Sequence, residues 1–201
     1  MNDSATSFLE QEELAHVGLG SIGRGVLLSR YAVLHNPGNI HLGDSCRVDD
    51  FCLITAGHGE PVNIGNWVHI AAFAALFGQG GLSLGDFSGI SSRTTLYSTN
   101  DDYSGEHMTN PTVSAEYTGV VKAPVTIGRH VVVGASCVIL PGTSIGEGCS
   151  IGALSLVRGL LQPWGIYVGV PARHIRERSR RVLELEKQFL CEVGRKGSRG
   201  R

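Results

Sequence analysis

An apolar residue returns every six positions at Ile127, Val133, Ile139, Ile145 and Ile151, and glycine follows it directly at Gly128, Gly134, Gly146 and Gly152. Four positions after each apolar residue, Val131, Cys137, Thr143, Cys149 and Ser155 form a second series, small or β-branched. A helix repeats at about 3.6 residues and a half-buried strand at about 2, so a strict step of six fits neither. It fits short strands joined by corners, with one hexad for each side of a coil. The large residue then points inward at mid-strand and the small one fills the cramped corner. Three hexads close a triangular coil, and stacked coils bury a continuous column of Ile, Val and Leu.

The same signature stands earlier at Ile22-Gly23, Leu42-Gly43, Ile64-Gly65 and Leu84-Gly85, about twenty residues apart. That spacing slightly exceeds one coil of three hexads, so the surplus must bulge at corners. Between Leu96 and Ile127 the pattern lapses, and residues 98–123 are polar and turn-rich, which predicts one long loop ejected from the solenoid. The 28 glycines, with no Gly-X-Y period, suggest many tight corners. Cys46, Cys52, Cys137 and Cys149 fall in the small inward slot and read as packed, reduced thiols, and five cysteines without a Cys-x-x-Cys pair match neither a disulfide framework nor a zinc ribbon.

Stacked coils leave unpaired strand edges at both ends. At the N-terminus, Ser7 and Glu10 are spaced as a capping box for a short helix. At the other end, Val182, Leu185, Phe189 and Val193 form one apolar stripe among charges, a helix expected to lie over the last coils. The expected organisation is therefore a helical cap over residues 1–19, a mainly β solenoid over 20–176 with the loop 98–123, and a helix with a basic tail over 177–201.

With 17 basic and 18 acidic residues, the formal charge of −1 lacks the positive balance of a nucleic-acid binder. The run Arg195-Lys196-Gly197-Ser198-Arg199-Gly200-Arg201 is the exception and reads as a disordered end. No apolar stretch approaches the length of about 18 residues that a membrane span needs, and the first residues lack the layout of a signal peptide. A cytoplasmic protein is expected.

The hexads, followed by Gly152-Ala153-Leu154-Ser155-Leu156-Val157 and then by Tyr167-Val168-Gly169-Val170-Pro171-Ala172-Arg173-His174-Ile175, resemble the hexapeptide-repeat acyltransferases over about residues 20–178. The closing Gly-x-Pro-Ala-Arg element is among the most specific short signatures of that family. The resemblance implies a left-handed parallel β-helix, a homotrimer with active sites between subunits, and acetyl-CoA lying in the groove between two β-helices. Residues 97–106 and 164–179 are similar to acetyltransferases of bacterial surface-polysaccharide biosynthesis. Those enzymes include N-acetyltransferases of a nucleotide-linked 4-amino-4,6-dideoxyhexose and sugar O-acetyltransferases. The implied activity is acetyl transfer to a sugar hydroxyl or amino group, with O- and N-transfer both open.

Acyl transfer from a thioester requires the acceptor to lose a proton as it attacks, and histidine is the usual proton acceptor near neutral pH. His69 sits one before an inward hexad residue and should point outward, into the implied subunit groove. His58 lies at a glycine-loosened corner where Glu60 would orient it. His107 lies in the ejected loop. In the galactoside and maltose acetyltransferases the corresponding loop holds a histidine-rich stretch with the base, whereas here it reads Asn100-Asp101-Asp102-Tyr103-Ser104-Gly105. Asp101 and Asp102 are accordingly candidates to bind or orient the acceptor. By the resemblance, Ala135, Ala153 and Ser155 stand where the pantetheine arm would lie, and Arg158 and Arg173 where nucleotide phosphates would be met.

Other readings stay open at this point. Antibiotic and serine acceptors lack a decisive motif here. A metal hydratase resembling the gamma-class carbonic anhydrases would need three histidines converging on one ion, with His58, His69 and His107 the candidates; no paired metal-ligand spacing is visible, and no metal is expected. A non-catalytic scaffold subunit is the third class, against which the Gly-x-Pro-Ala-Arg terminus and the polar loop both speak.

Overall fold

Each hexad places its large residue inward on a two- to four-residue strand, most often as the last residue of that strand, and consecutive hexads turn through a corner onto the next face. The computed structural model describes residues 7–198. Three parallel sheets form the sides of a prism. Face 1 runs through the strands Ile40–Leu42, Val62–Ile64, Leu82–Leu84, Val125–Ile127 and Ser144–Ile145. Face 2 runs through Arg47–Val48, His69–Ile70, Gly89–Ile90, Val132–Val133 and Ser150–Ile151. Face 3 runs through Val33–His35, Leu53–Ala56, Ala75–Gly78, Thr95–Tyr97, Val138–Ile139 and Leu156–Val157. The chain is a left-handed parallel β-helix of about seven turns. Register is strict: Leu84 pairs with both Ile64 and Ile127, and Ile90 with both Ile70 and Val133.

The expected column is the core. Ile127, Val133, Ile139, Ile145 and Ile151 are all buried, as are the second-series residues Val131, Cys137, Thr143, Cys149 and Ser155. The glycine after each large residue is there for space rather than for its own dihedral freedom. A Cβ at Gly43 would stand 2.7 Å from the Gly65 backbone, and one at Gly128 would stand 2.7 Å from the Glu147 nitrogen. The left-handed backbone at the corners is carried instead by Trp67, Phe73, Phe87, Arg93, His130 and Leu154, all at φ between +52° and +64°.

Those corner side chains project outward and stack from coil to coil. Trp67 and Phe87 lie 4.8 Å apart and parallel, with His130 5.2 Å beyond, along the edge between faces 1 and 2. Tyr31, Phe51 and Phe73 make a second ladder on the edge between faces 2 and 3, closed by the Arg93 guanidinium over Phe73.

Both caps differ from the sequence expectation in detail. Helix α1 spans Gln11–His16, and its capping box joins Glu10 to Glu13 rather than Ser7 to Glu10. Ser7 lies in a bend instead, and Phe8 bridges to Ser29 at the open end of face 2. At the C-terminus the Gly-x-Pro-Ala-Arg element forms a hairpin: Gly165–Gly169 pairs antiparallel with Ala172–Glu177 and covers the last edge of face 2. Helix α2 spans Val182–Ser198. It runs back along the middle of the prism rather than over the last coils, with Phe189 edge-on to Trp67 and Phe87 and with Glu186 held by Arg129 and His130. The first part of the basic tail is thus helical, and Arg199, Gly200 and Arg201 lie outside the described residues.

Candidate active site

The ejected loop leaves face 3 at Ser98 and returns at Ala123. Its stem is a short antiparallel pair, Thr99–Asn100 with Val121–Lys122. Ser98 is the anchor: its hydroxyl donates to the Phe77 carbonyl at 2.7 Å and accepts from the Gly80 amide at 2.8 Å. Between the loop and face 3 lies a cleft of about 580 Å³. Phe77, Tyr97, Val138 and Leu140 make its floor, and Asn100, Asp101, Tyr103, Pro111 and Val120 stand over it. Phe77 and Tyr97 stack in parallel, 5.0 Å apart. An apolar floor with a few polar groups above it is the usual form of a small-molecule site.

The two loop aspartates part company. The Asp102 carboxylate accepts from the Ser104 amide and hydroxyl at 2.8 and 2.9 Å, and from the His107 amide and ring at 2.9 and 3.2 Å. Hydrogen bonds from Ser104 foremost, then from His107, hold its pKa well below the usual carboxylate value. Asp102 is therefore engaged in shaping the loop, and His107 is tied to it. Asp101 lines the cleft, and its side chain has no hydrogen-bond or ion-pair partner among the described residues.

The three histidines are not brought together. His58 lies at the corner after Leu53–Ala56, exposed, and no hydrogen bond or ion pair links it to Glu60, so the orienting role expected of Glu60 is not seen. His69 points outward from face 2, as its register required, and its Nε2 lies 2.8 Å from the Asp49 carboxylate. Partial burial works to raise the pKa of Asp49, but hydrogen bonds from Arg47 and His69 outweigh it and leave the carboxyl below its ordinary value. Among the described residues no cluster of His, Cys, Asp or Glu is placed to hold a metal ion.

The residues expected to meet coenzyme A, three along the pantetheine arm and two at the phosphates, are spread over the last coils and the closing hairpin. Ala135 and Ala153 are exposed at the corner between faces 2 and 3, and Arg158 is exposed where face 3 turns to face 1. Arg173 is exposed on the closing hairpin, and neither arginine has an ion-pair partner among the described residues. The Ser155 side chain is buried, donates to the Gly152 carbonyl at 2.7 Å and accepts from the Gly169 amide at 3.0 Å, so its hydroxyl locks the hairpin and only its backbone is left to face a ligand. Sequence reasoning missed the floor residues and Gln79, although Gln79 is the lone side chain in Gly78-Gln79-Gly80-Gly81.

The chain belongs to the hexapeptide-repeat acyltransferases. Residues 124–159 match the Bacterial transferase hexapeptide (six repeats) family. The chain is 39% identical over 183 residues to the dTDP-4-amino-4,6-dideoxy-D-glucose acyltransferase of Escherichia coli, covering 91% of this chain and 95% of that one. It is 44% identical to AntD, an N-acyltransferase from Bacillus cereus solved with dTDP and 3-hydroxybutyryl-CoA; the match covers 94% of this chain and 99% of AntD, with a TM-score of 0.89. A maltose O-acetyltransferase from Clostridium difficile 630, at 20% identity and a TM-score of 0.56 over 90% of this chain and 80% of that one, shares the fold.

Proposed function

We propose that this enzyme transfers an acyl group, acetyl in the first instance, from a coenzyme A thioester to the 4-amino group of a dTDP-linked 4-amino-4,6-dideoxyhexose destined for surface polysaccharide. The observation that carries the reading is the unpaired Asp101 carboxylate above the apolar floor of the cleft. An amino sugar has a matching pair of features, an ammonium for the carboxylate and the apolar side of a deoxygenated ring for Phe77, Tyr97 and Leu140. The relatives matched along nearly their whole length support the same acceptor class.

In the proposed reaction the neutral amine attacks the thioester carbonyl. A C–N bond forms, the C–S bond breaks, and the proton lost from nitrogen ends on the departing thiol. Asp101 attracts the ammonium and stabilises the positive charge that nitrogen carries in the tetrahedral intermediate. A base must take the first proton. The Tyr31–Phe51–Phe73 ladder, all three rings more than half exposed, forms an apolar seam on the edge between faces 2 and 3. A threefold assembly about that edge sets face 2 of one copy against face 3 of the next, so the His69–Asp49 pair of one copy would meet the Asp101 cleft of its neighbour. In that groove Arg158 and Arg173 are free to meet the coenzyme's phosphates. His58 and His107 are the reserve bases, and cytoplasmic placement belongs to the same proposal because both substrates are cytoplasmic metabolites.

Thiol release, assayed with acetyl-CoA and 3-hydroxybutyryl-CoA against a panel of dTDP-amino sugars and free sugars, tests the reaction. His69→Ala and Asp101→Asn are each expected to lower turnover by about 10²–10⁴-fold. Co-refolding the two variants in equal amounts should restore about a quarter of wild-type activity, because each site then draws His69 and Asp101 from different copies. A site contained in one chain would show no restoration. Full activity of His69→Ala beside an inactive His58→Ala would move the base to His58.

A further inference from the structure

We propose that Gln79 is a specificity-determining residue that hydrogen-bonds the acceptor sugar through the ring hydroxyl next to the amine; this rests on the amino-sugar reading above. Gln79 lines the cleft, and its side-chain oxygen is shielded from solvent with no hydrogen-bond partner among the described residues. Proteins leave few such atoms unpaired. One left unpaired on a residue that lines a ligand cleft points to a partner the ligand supplies once it seats and the carboxamide turns to meet it.

The backbone around it has no slack. A Cβ at Gly78 would stand 2.3 Å from Val62 Cγ2 and 2.7 Å from the Thr55 carbonyl, and one at Gly80 would stand 2.2 Å from the Ser98 carbonyl. Gly81, at φ +92°, has a backbone that L side chains rarely adopt. Three side chains are thus given up around Gln79 to seat it closely, and the Gly80 amide bonds the same Ser98 hydroxyl that anchors the loop. Gln79 and the loop bearing Asp101 therefore share one anchor, the arrangement that holds two contacts in fixed register to a single small molecule.

The chemistry of the carboxamide selects the partner. It presents one acceptor and one donor group, and a hydroxyl answers both, whereas an ammonium only donates. With Asp101 taking the amine, the adjacent hydroxyl falls to Gln79. A site built to hydrogen-bond a substrate hydroxyl rejects the analogue that lacks it.

The test measures kcat/KM for wild type and Gln79→Met with the dTDP-amino sugar and with its analogue in which that hydroxyl is replaced by hydrogen. Wild type should lose about 10–100-fold on the analogue. Gln79→Met should lose a similar factor on the parent sugar and little more on the analogue, with KM for acyl-CoA unchanged. Its Tm should equal or exceed that of wild type, since an unpaired buried acceptor is removed. A Gln79→Met enzyme that discriminates as wild type does, or whose acyl-CoA KM rises in place of the sugar's, overturns the proposal. So does a wild-type enzyme indifferent to the missing hydroxyl, a result that needs no variant to fold. Wild type inactive on every dTDP-amino sugar would instead bring down the functional reading, and this assignment with it.

Discussion

Trp67, Phe73 and Phe87 hold left-handed backbone at φ +52°, +64° and +59°, a conformation that costs an L residue about 1–2 kcal/mol. Stacking with the ring one coil away returns a comparable amount, about 0.5–1.5 kcal/mol per pair. The glycines serve the opposite need, the close approach of coils. Gly128→Ala is expected to destabilise the protein, because its Cβ would meet the Glu147 nitrogen at 2.7 Å and that backbone is held on both sides. Ile145→Ala should cost about 2–5 kcal/mol in denaturant unfolding, as a fully buried side chain of the central column. Burial pushes the thiols of Cys46, Cys137 and Cys149 up, and that of Cys52 to about 11. A thiol reagent should therefore label Cys191 alone in the native protein and all five cysteines after denaturation.

At the scale of elements, the ejected loop depends on one carboxylate. The folded pKa of Asp102 lies below the ordinary value, so its contribution to loop order is fully present above about pH 4 and is lost as pH falls towards the depressed value. Protection of the Ser104 and His107 amides against exchange, taken relative to the intrinsic rate at each pH, should fall on acidification before the prism itself unfolds, and Asp102→Ala should reproduce that loss of protection at neutral pH. Equal protection at Ser104 and His107 in wild type and Asp102→Ala would remove the carboxylate from this role. Helix α2 is held in another way. Its apolar stripe rests on Trp67 and Phe87, while Glu186 joins Arg129 and the buried His130. That combination fixes where along the prism the helix docks, a choice the stripe alone leaves open.

At the scale of the molecule, the outward sides of the faces differ in character. Face 1 presents Ser21, His41, Asn63, Ser83, Thr126 and Ser144 and ends on Leu160, whereas face 3 presents Val33, Leu53, Ala75, Thr95 and Val138, with Phe77, beside the aromatic ladder. An apolar seam of this extent is the mark of an association surface. The proposed trimer predicts a solution mass three times that of the chain by light scattering. Phe51→Glu with Phe73→Glu should shift it to monomer and abolish turnover while the β-rich circular dichroism persists. A fully active monomeric double variant would refute both the assembly and the shared site.

The hexad period by itself determined the prism and its inward column, because a six-residue step has only one close-packed use; Ile127, Val133 and Ile145 stand where that step puts them. It likewise marked the loop, as the interval where the period stops. Family resemblance in the Gly-x-Pro-Ala-Arg element pointed to acyl transfer. What only the tertiary structure decided is which neighbours share a space. Asp101 and Asp102 are indistinguishable along the chain, yet one carboxylate is consumed by four loop donors and the other lines the cleft. The inward slot of Ser155 follows from its hexad, whereas its hydrogen bond from the Gly169 amide of the closing hairpin follows only from the folded chain. Periodicity records the direction of a side chain relative to its own coil. Hydrogen-bond partners and clefts depend on residues twenty or more positions away, and those distances exist only once the coils have stacked.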